Sequence, residues 1–342
     1  MADDLLPLSS GFPDATEAEW LASVDKVLKG RGIDSITRKT VDGLEIHPLY
    51  RESDFPAATD PLGTPGAAPF LRGPTAAPDR FAPWDIRQAF AHPSPEATNE
   101  ELLRDLERGV MSVELKLDCT GAHGIQITTL EDFRTALNGL RADIAPIALD
   151  HGAGSGVTAA TLLGLWGQEQ DNPASQKFEF NMDPLGCLAR TGKLSGGLNA
   201  AFARLSAAAT SLAKAYPDAG LIRIDARMVH EAGGSDAQEL AALIASAVDT
   251  LRRLDNRTDI SALIPRMSFA IALDGNYGLG VAKLRAARRL WARVLDALGQ
   301  DAQPMRLQAV SSARIHCTRT GRPSSCARNA ASKPTSSAAV RP

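Results

Sequence analysis

The residues best able to bind metal or act as nucleophiles and bases are six histidines and four cysteines, and their spacing argues against most such roles. His47, His92, His123, His151, His230 and His316 never fall at HxH or HxxxH spacing, so no single element presents two imidazoles to one ion. No metal site is expected. Cys119, Cys187, Cys317 and Cys326 contain no CxxC pair, which suggests neither a zinc knuckle nor a disulfide framework and points to a reducing compartment. The stretch His151 to Gly156 (HGAGSG) follows a strand-like run and precedes a helical one, but its spacing is GxGxG rather than the GxGxxG of a dinucleotide cradle. Gly186 to Lys193 (GCLARTGK) has five residues between its glycines, where a P-loop has four. It also has Leu194 where Ser or Thr would hold magnesium. His123 and His230 follow apolar runs and could act there as acid or base, the plainer role being that of a loop histidine.

Carboxylates mark the elements that would position such chemistry. Short apolar runs end at Asp118, Asp150, Asp183, Asp225 and Asp274, and a sixth, MRLQAV, ends near Val310. Each acid-ended run is followed by a loop and a stretch of helical periodicity, which is the pattern of parallel βα units. The spacing predicts an α/β fold of TIM type, a (β/α)8 barrel, with an open doubly wound sheet as the alternative. Acids at the carboxyl ends of such strands are either site residues or helix caps. Only about six units are visible, so the barrel is expected to be incomplete. Phe178, Phe180 and Met182 on one run, and Phe269 and Ile271 on another, suggest a lumen filled by bulky side chains.

With 37 basic against 40 acidic residues the formal charge is −3, so no global field attracts nucleic acid or an anionic membrane. The amino terminus has no signal-peptide pattern and no uncharged apolar run is long enough to span a bilayer, so a cytoplasmic protein is expected. Residues 14 to 30 read as an amphipathic helix carrying Trp20, Leu21, Val24 and Leu28. From Tyr50 to Pro83 the chain is rich in Pro, Gly and Ala and reads as an extended arm. Leu49, Tyr50, Phe55, Phe70, Leu71, Phe81 and Trp84 give the arm and its borders apolar area to anchor elsewhere. Lys283, Arg285, Arg288, Arg289 and Arg293 form a basic helix face, either solvated or a patch for an anionic ligand. After Ser311 the chain holds six Arg or Lys and no acid. The division expected is an amino-terminal helix and arm over 1–109, a partial barrel over 110–313, and a structureless tail over 314–342 that a frameshift would explain. Such a barrel would leave its first and last strands with unpaired edges.

Eight segments in order resemble the methylmalonyl-CoA mutase family, and its small subunit more than its catalytic chain. They are AEWLASVDKVLKG, KTVDGLEIHPLYRESDFP, PFLRGPTAAPDRFAPWDIRQ, TNEELLRDLERGVMSVEL, TLEDFRTALNGL, FNMDPLGCLARTG, VHEAGGSDAQELA and NYGLGVAKLRAARRLWARV. The resemblance spans residues 17 to about 313. It implies a βα barrel whose arm contacts a large catalytic subunit in a heterodimer, supporting the adenosylcobalamin-dependent interconversion of methylmalonyl-CoA and succinyl-CoA, an isomerase reaction of propionate metabolism.

The departures from the catalytic chain are specific. Asp79 stands where the family has a tyrosine between cofactor and substrate. Met228 stands where a histidine polarises the thioester carbonyl, with His230 two positions later, and no DxHxxG supplies a cobalt ligand. The resemblance therefore implies no catalytic residue in this chain and cobalamin held by the large subunit. The candidate CoA contacts are Arg72, Arg87 and Gln88. A catalytic barrel needs room for the pantetheine chain, so a filled lumen implies a structural subunit. The alternative is a divergent acyl-CoA mutase or an acyl-CoA-binding barrel without cobalamin.

Overall fold

A computed structural model describes residues 11, 15–51, 54–55, 62–77, 79, 81, 83–118, 123–152, 154, 156–316 and, for the backbone, 336–339. Cys119, Cys317 and Cys326 lie outside the described residues. The chain divides into two compact units, residues 1–59 and 60–342. In the first, α1 (Glu17–Leu28) begins at Thr16, whose hydroxyl accepts from the Glu19 amide while the Glu19 carboxylate accepts from the Thr16 amide. This reciprocal cap satisfies two otherwise orphaned donors. A short hairpin of β1 (Arg38–Lys39) and β2 (Glu45–Ile46) follows. On the expected apolar face of α1, Leu28 is buried, Trp20 and Val24 are half-buried and Leu21 is exposed. Val27, Val41, Leu44, Leu49, Tyr50 and Phe55 are also exposed, so this unit carries much apolar surface and little core.

The second unit is the barrel. Strands β3 (Asp85–Phe90), β4 (Ser112–Lys116), β5 (Ile147–Asp150), β6 (Phe178–Met182), β7 (Gly220–Asp225), β8 (Met267–Leu273) and β9 (Arg306–Ser311) run parallel, each paired with the next. The connecting helices are α2 (Pro95–Glu107), α3 (Leu130–Ala136), α4 (Val157–Gln168), α5 (Pro184–Thr191), α6 (Gly197–Ala215), α7 (Arg227–Glu231), α8 (Asp236–Asp255), α9 (Ile260–Leu263) and α10 (Tyr277–Ala297). Six βα units are followed by a seventh strand, an incomplete version of the (β/α)8 plan. The eighth place is taken by β10 (Ser336–Ala339), which pairs antiparallel with both β3 and β9 and closes the sheet.

Closure sets aside the open doubly wound alternative. It also corrects the expectation of unpaired first and last strands, since β10 covers both edges. The tail was expected to hold no regular structure; its composition forbids a core, but strand pairing draws only on backbone N–H and C=O groups, which Ser and Ala supply. The barrel also starts earlier than residue 110. Asp85–Phe90 (DIRQAF) carries Asp85, Arg87 and Gln88 among its six residues, so its hydropathy hides a strand whose Asp85 and Arg87 point inward.

The direction of the aromatic residues is the larger correction. Phe178 packs edge-on against Trp166 of α4 and Tyr216 at the end of α6, with centroids 6.2 and 5.0 Å apart, and Phe269 lies 4.7 Å from Trp291 of α10. These side chains face the helical shell, where burying each one contributes roughly 1.5–3 kcal/mol. Parallel strands are covered on both faces, so alternation alone could not say which face was the lumen.

Candidate functional site in the barrel lumen

Side-chain contacts between strands that are not neighbours, such as Arg306 of β9 with Glu179 of β6 and Arg223 of β7 with Glu114 of β4, mark the lumen, because they can only cross the interior. Near the amino ends, Arg87 of β3 donates to Ser112 Oγ at 2.9 Å and lies 3.4 Å from Asp85 Oδ2, which also accepts from the Ser112 hydroxyl at 2.6 Å. Arg306 of β9 reaches across to Glu179 of β6. A cavity of about 340 Å³ opens at this end, with Asp85, Arg87, Lys177, Glu179, Arg306 and Gln308 in its wall.

One level up, Arg223 of β7 donates to Glu114 Oε1 of β4 at 2.6 Å and also contacts Gln308 of β9. Gln308 Nε2 donates to both Glu114 oxygens at 3.2 Å. Glu114 is 2% exposed and Arg223 3%, so this bridge spans the barrel out of contact with water. Beside it, Asn181 donates to Leu149 O at 3.0 Å and accepts from Ser268 Oγ at 2.8 Å. Asn181 has φ of 51°, and the β6–β7 register shifts around it. A strained non-glycine residue of this kind persists only where its surroundings fix it.

The carboxyl end carries a second charged layer. Arg227 donates to Asp225 and, at 3.1 Å, to Asp150 Oδ2, while Arg190 lies 3.3 Å from Asp225 and donates to Gly152 O at 2.8 Å. Burial opposes ionisation of both Asp150 and Asp225, but the guanidinium groups around them, Arg227 foremost with Arg223, together outweigh it and hold both below the ordinary carboxylate range. These run-ending acids are thus ion-pair partners. Asp183 behaves differently: it caps α5 through Gly186 N at 2.7 Å, and burial pushes its carboxyl up to about 7, with Arg190 only 3.9 Å away pulling back in part.

A carboxyl that titrates near 7 in the fold and near 3.8 when unfolded makes the folded state bind the extra proton between those values. Its contribution to stability is therefore greatest at low pH and falls as pH rises through that window. Asp183→Asn keeps a capping side chain and removes the titration. Urea denaturation should show the wild type losing roughly 2–4 kcal/mol relative to this variant between pH 4 and pH 7. Parallel stability profiles would exclude the raised carboxyl.

His151 donates Nε2 to Phe180 O at 2.6 Å, and burial pushes its imidazole down to about 4. Its ring rests on Gly156, where an added Cβ would fall 2.4 Å from the ring. That close approach, with φ of 89° at the start of α4, accounts for Gly156 of HGAGSG without a nucleotide. A cavity of about 470 Å³ borders this loop.

The structure separates the predicted contacts. Arg87 lines the amino-end cavity. Gln88, next on β3, is half-buried on the opposite face, and Arg72 is exposed, reaching Gly63 O at 3.5 Å. His123 is exposed, whereas His230 is 2% exposed, with Nε2 bonded to Ser312 Oγ at 2.8 Å. The basic face of α10 is not a single patch: Lys283 is buried on Asp236 and Glu239, and Arg288 donates to Leu71 O at 3.1 Å. Part of the arm thus rests on its own barrel. Sequence reasoning missed Glu114, Arg223 and Gln308, whose signal was a charged or amide residue inside each of three apolar strands.

Comparison with known proteins identifies related chains. The methylmalonyl-CoA mutase family profile matches residues 39–324. The chain is 37% identical over 328 residues to the methylmalonyl-CoA mutase small subunit of Streptomyces virginiae, covering 93% of this chain and 51% of that protein. It is 30% identical over 331 residues to the small subunit from Propionibacterium freudenreichii subsp. shermanii, covering 91% and 50%. Against the mitochondrial methylmalonyl-CoA mutase of Bos taurus it is 26% identical over 321 residues, covering 89% and 42%. The chain spans about half the length of the small subunits it matches. Among the described residues no helix is long and apolar enough to cross a membrane. By profile and identity, the chain belongs to the methylmalonyl-CoA mutase family.

Proposed function

We propose that this chain is a non-catalytic small subunit of a cytoplasmic methylmalonyl-CoA mutase, forming a heterodimer with a large subunit that interconverts methylmalonyl-CoA and succinyl-CoA with adenosylcobalamin. The observation that carries the reading is the Glu114–Arg223–Gln308 bridge. A catalytic barrel of this family needs lumen space for pantetheine, and here a buried ion pair spans that space. Displacing it would leave a charge without its partner in a dry interior, at a cost of several kcal/mol. The expected conclusion of a filled, structural barrel thus rests on charged side chains instead of aromatic ones.

Neither buried histidine near the carboxyl ends of the strands is placed to meet adenosylcobalamin: His151 and His230 are 7% and 2% exposed, out of reach of a bulky cofactor. No step is assigned to the cofactor in this chain. Asp79 is exposed and accepts from Phe81 N at 2.8 Å, a loop-bonding role. A second reading, weak acyl-CoA binding at the amino end, is favoured by Arg87 in the cavity wall; Arg72 and Gln88 are not among the lining residues. The experiment is turnover by the purified chain with methylmalonyl-CoA and adenosylcobalamin. No succinyl-CoA is expected, and product formed without the large subunit would overturn the reading.

A further inference from the structure

Outside the lumen, between α7, α8 and α10, three metal-ligating side chains converge. His230, Asp236 and Glu239 each offer one donor atom, and these atoms lie within 4.8 Å of one another. His230 is 2% exposed and Glu239 is fully buried. With Nε2 bonded to Ser312, His230 has its Nδ1 3.6 Å from Glu239 Oε2 and without a hydrogen-bond partner. Ser312 is itself fully buried, so the Ser312–His230–Glu239 line offers no nucleophile that a substrate could reach.

The cation at this cluster is Lys283, 4% exposed, near the start of α10. Its Nζ lies 2.7 Å from Asp236 Oδ1, contacts Glu239 Oε2 and donates to Ala272 O at 2.9 Å. Two carboxylates and a carbonyl around one buried positive charge, with an imidazole nitrogen beside them, are the donors that a small divalent cation takes.

We propose that His230, Asp236 and Glu239 form a divalent-cation site of the zinc class whose cation position is held in this chain by the Lys283 ammonium. A tetrahedral ion bound at about 2.1 Å needs donor atoms about 3.4 Å apart. The cluster must therefore contract by roughly an ångström, and Asp236, half-buried at the first position of α8, has the rotamer freedom to do so. The three-ligand set leaves the fourth position for water in the volume the lysine vacates. The cluster owes nothing to acyl-CoA or cobalamin, so this site stands or falls independently of the mutase reading.

The test compares the intact chain with Lys283→Ala and with the double variant Lys283→Ala/His230→Ala. Zn²⁺ affinity is read by competition with a chromophoric chelator, and Co²⁺ coordination by visible absorption. Lys283→Ala should bind one equivalent about 100-fold more tightly than the wild type and show the intense bands of tetrahedral Co²⁺, and the double variant should lose that gain. Removing the ammonium leaves two carboxylates without their cation, so Lys283→Ala should melt lower than the wild type and regain stability in Zn²⁺. The proposal is overturned if Lys283→Ala gains no affinity, if Zn²⁺ fails to restore a variant that does not fold, or if the double variant binds as well as the single one.

Discussion

Arg223→Met will destabilise the folded chain by about 3–5 kcal/mol, the range found when one partner of a buried ion pair is removed. The expectation follows from burial. Glu114 and Arg223 are 2% and 3% exposed and face each other across the lumen at 2.6 Å. Once the guanidinium is gone, Gln308 still donates to Glu114, but an amide does not neutralise a carboxylate that has lost its water. Changing Glu114 to Gln in the same chain removes the orphaned charge, so the double variant should recover most of the loss. Urea denaturation of the four forms measures both quantities. A loss below about 1 kcal/mol for Arg223→Met would mean that water reaches the lumen, and the bridge would then no longer argue against a passage for substrate.

The second large effect concerns the amino-terminal unit. Deleting residues 1–59 should weaken association with the large subunit by two to four powers of ten, or roughly 3–6 kcal/mol. Val41, Leu44, Leu49, Tyr50 and Phe55 are exposed in this unit, and Leu28 is its buried large apolar residue among those described. Burying side chains of this kind contributes roughly 1.5–3 kcal/mol each, part of which is offset by ordering the segment. Truncation at the end of this unit is cleaner than truncation at residue 83, because Leu71 is 4% exposed and its carbonyl accepts from Arg288 of α10. Equal dissociation constants for the intact and shortened chains would show that the exposed surface faces something else.

How much of this was legible depends on what each residue reveals through hydropathy alone. β7 and β8 read as strands because Leu221, Ile222 and Ile224, and Phe269 and Ile271, form short apolar runs between helical stretches. β3 did not, because Asp85 and Arg87 occupy its lumen face and made it look like part of the arm. Lumen and shell could not be told apart within β6, where Glu179 and Asn181 alternate with Phe178 and Phe180. The partners in other strands decide that question, and they are far apart in sequence. Lys283 falls with the arginines of α10 on a helical wheel, yet it turns inward because Asp236 and Glu239 of α8 pack against that turn. The tail strand was invisible for a simpler reason: backbone pairing has no hydropathy signature. The family resemblance, by contrast, rested on local segments and needed no long-range contact.

The central proposal is that this chain associates with a large methylmalonyl-CoA mutase subunit. Its most direct test is sedimentation velocity of the intact chain titrated with the large methylmalonyl-CoA mutase subunit. A single boundary at one-to-one stoichiometry, with the free chain reappearing only in excess, is the predicted result. Two independently sedimenting species at every ratio, at concentrations well above the micromolar range, would contradict it.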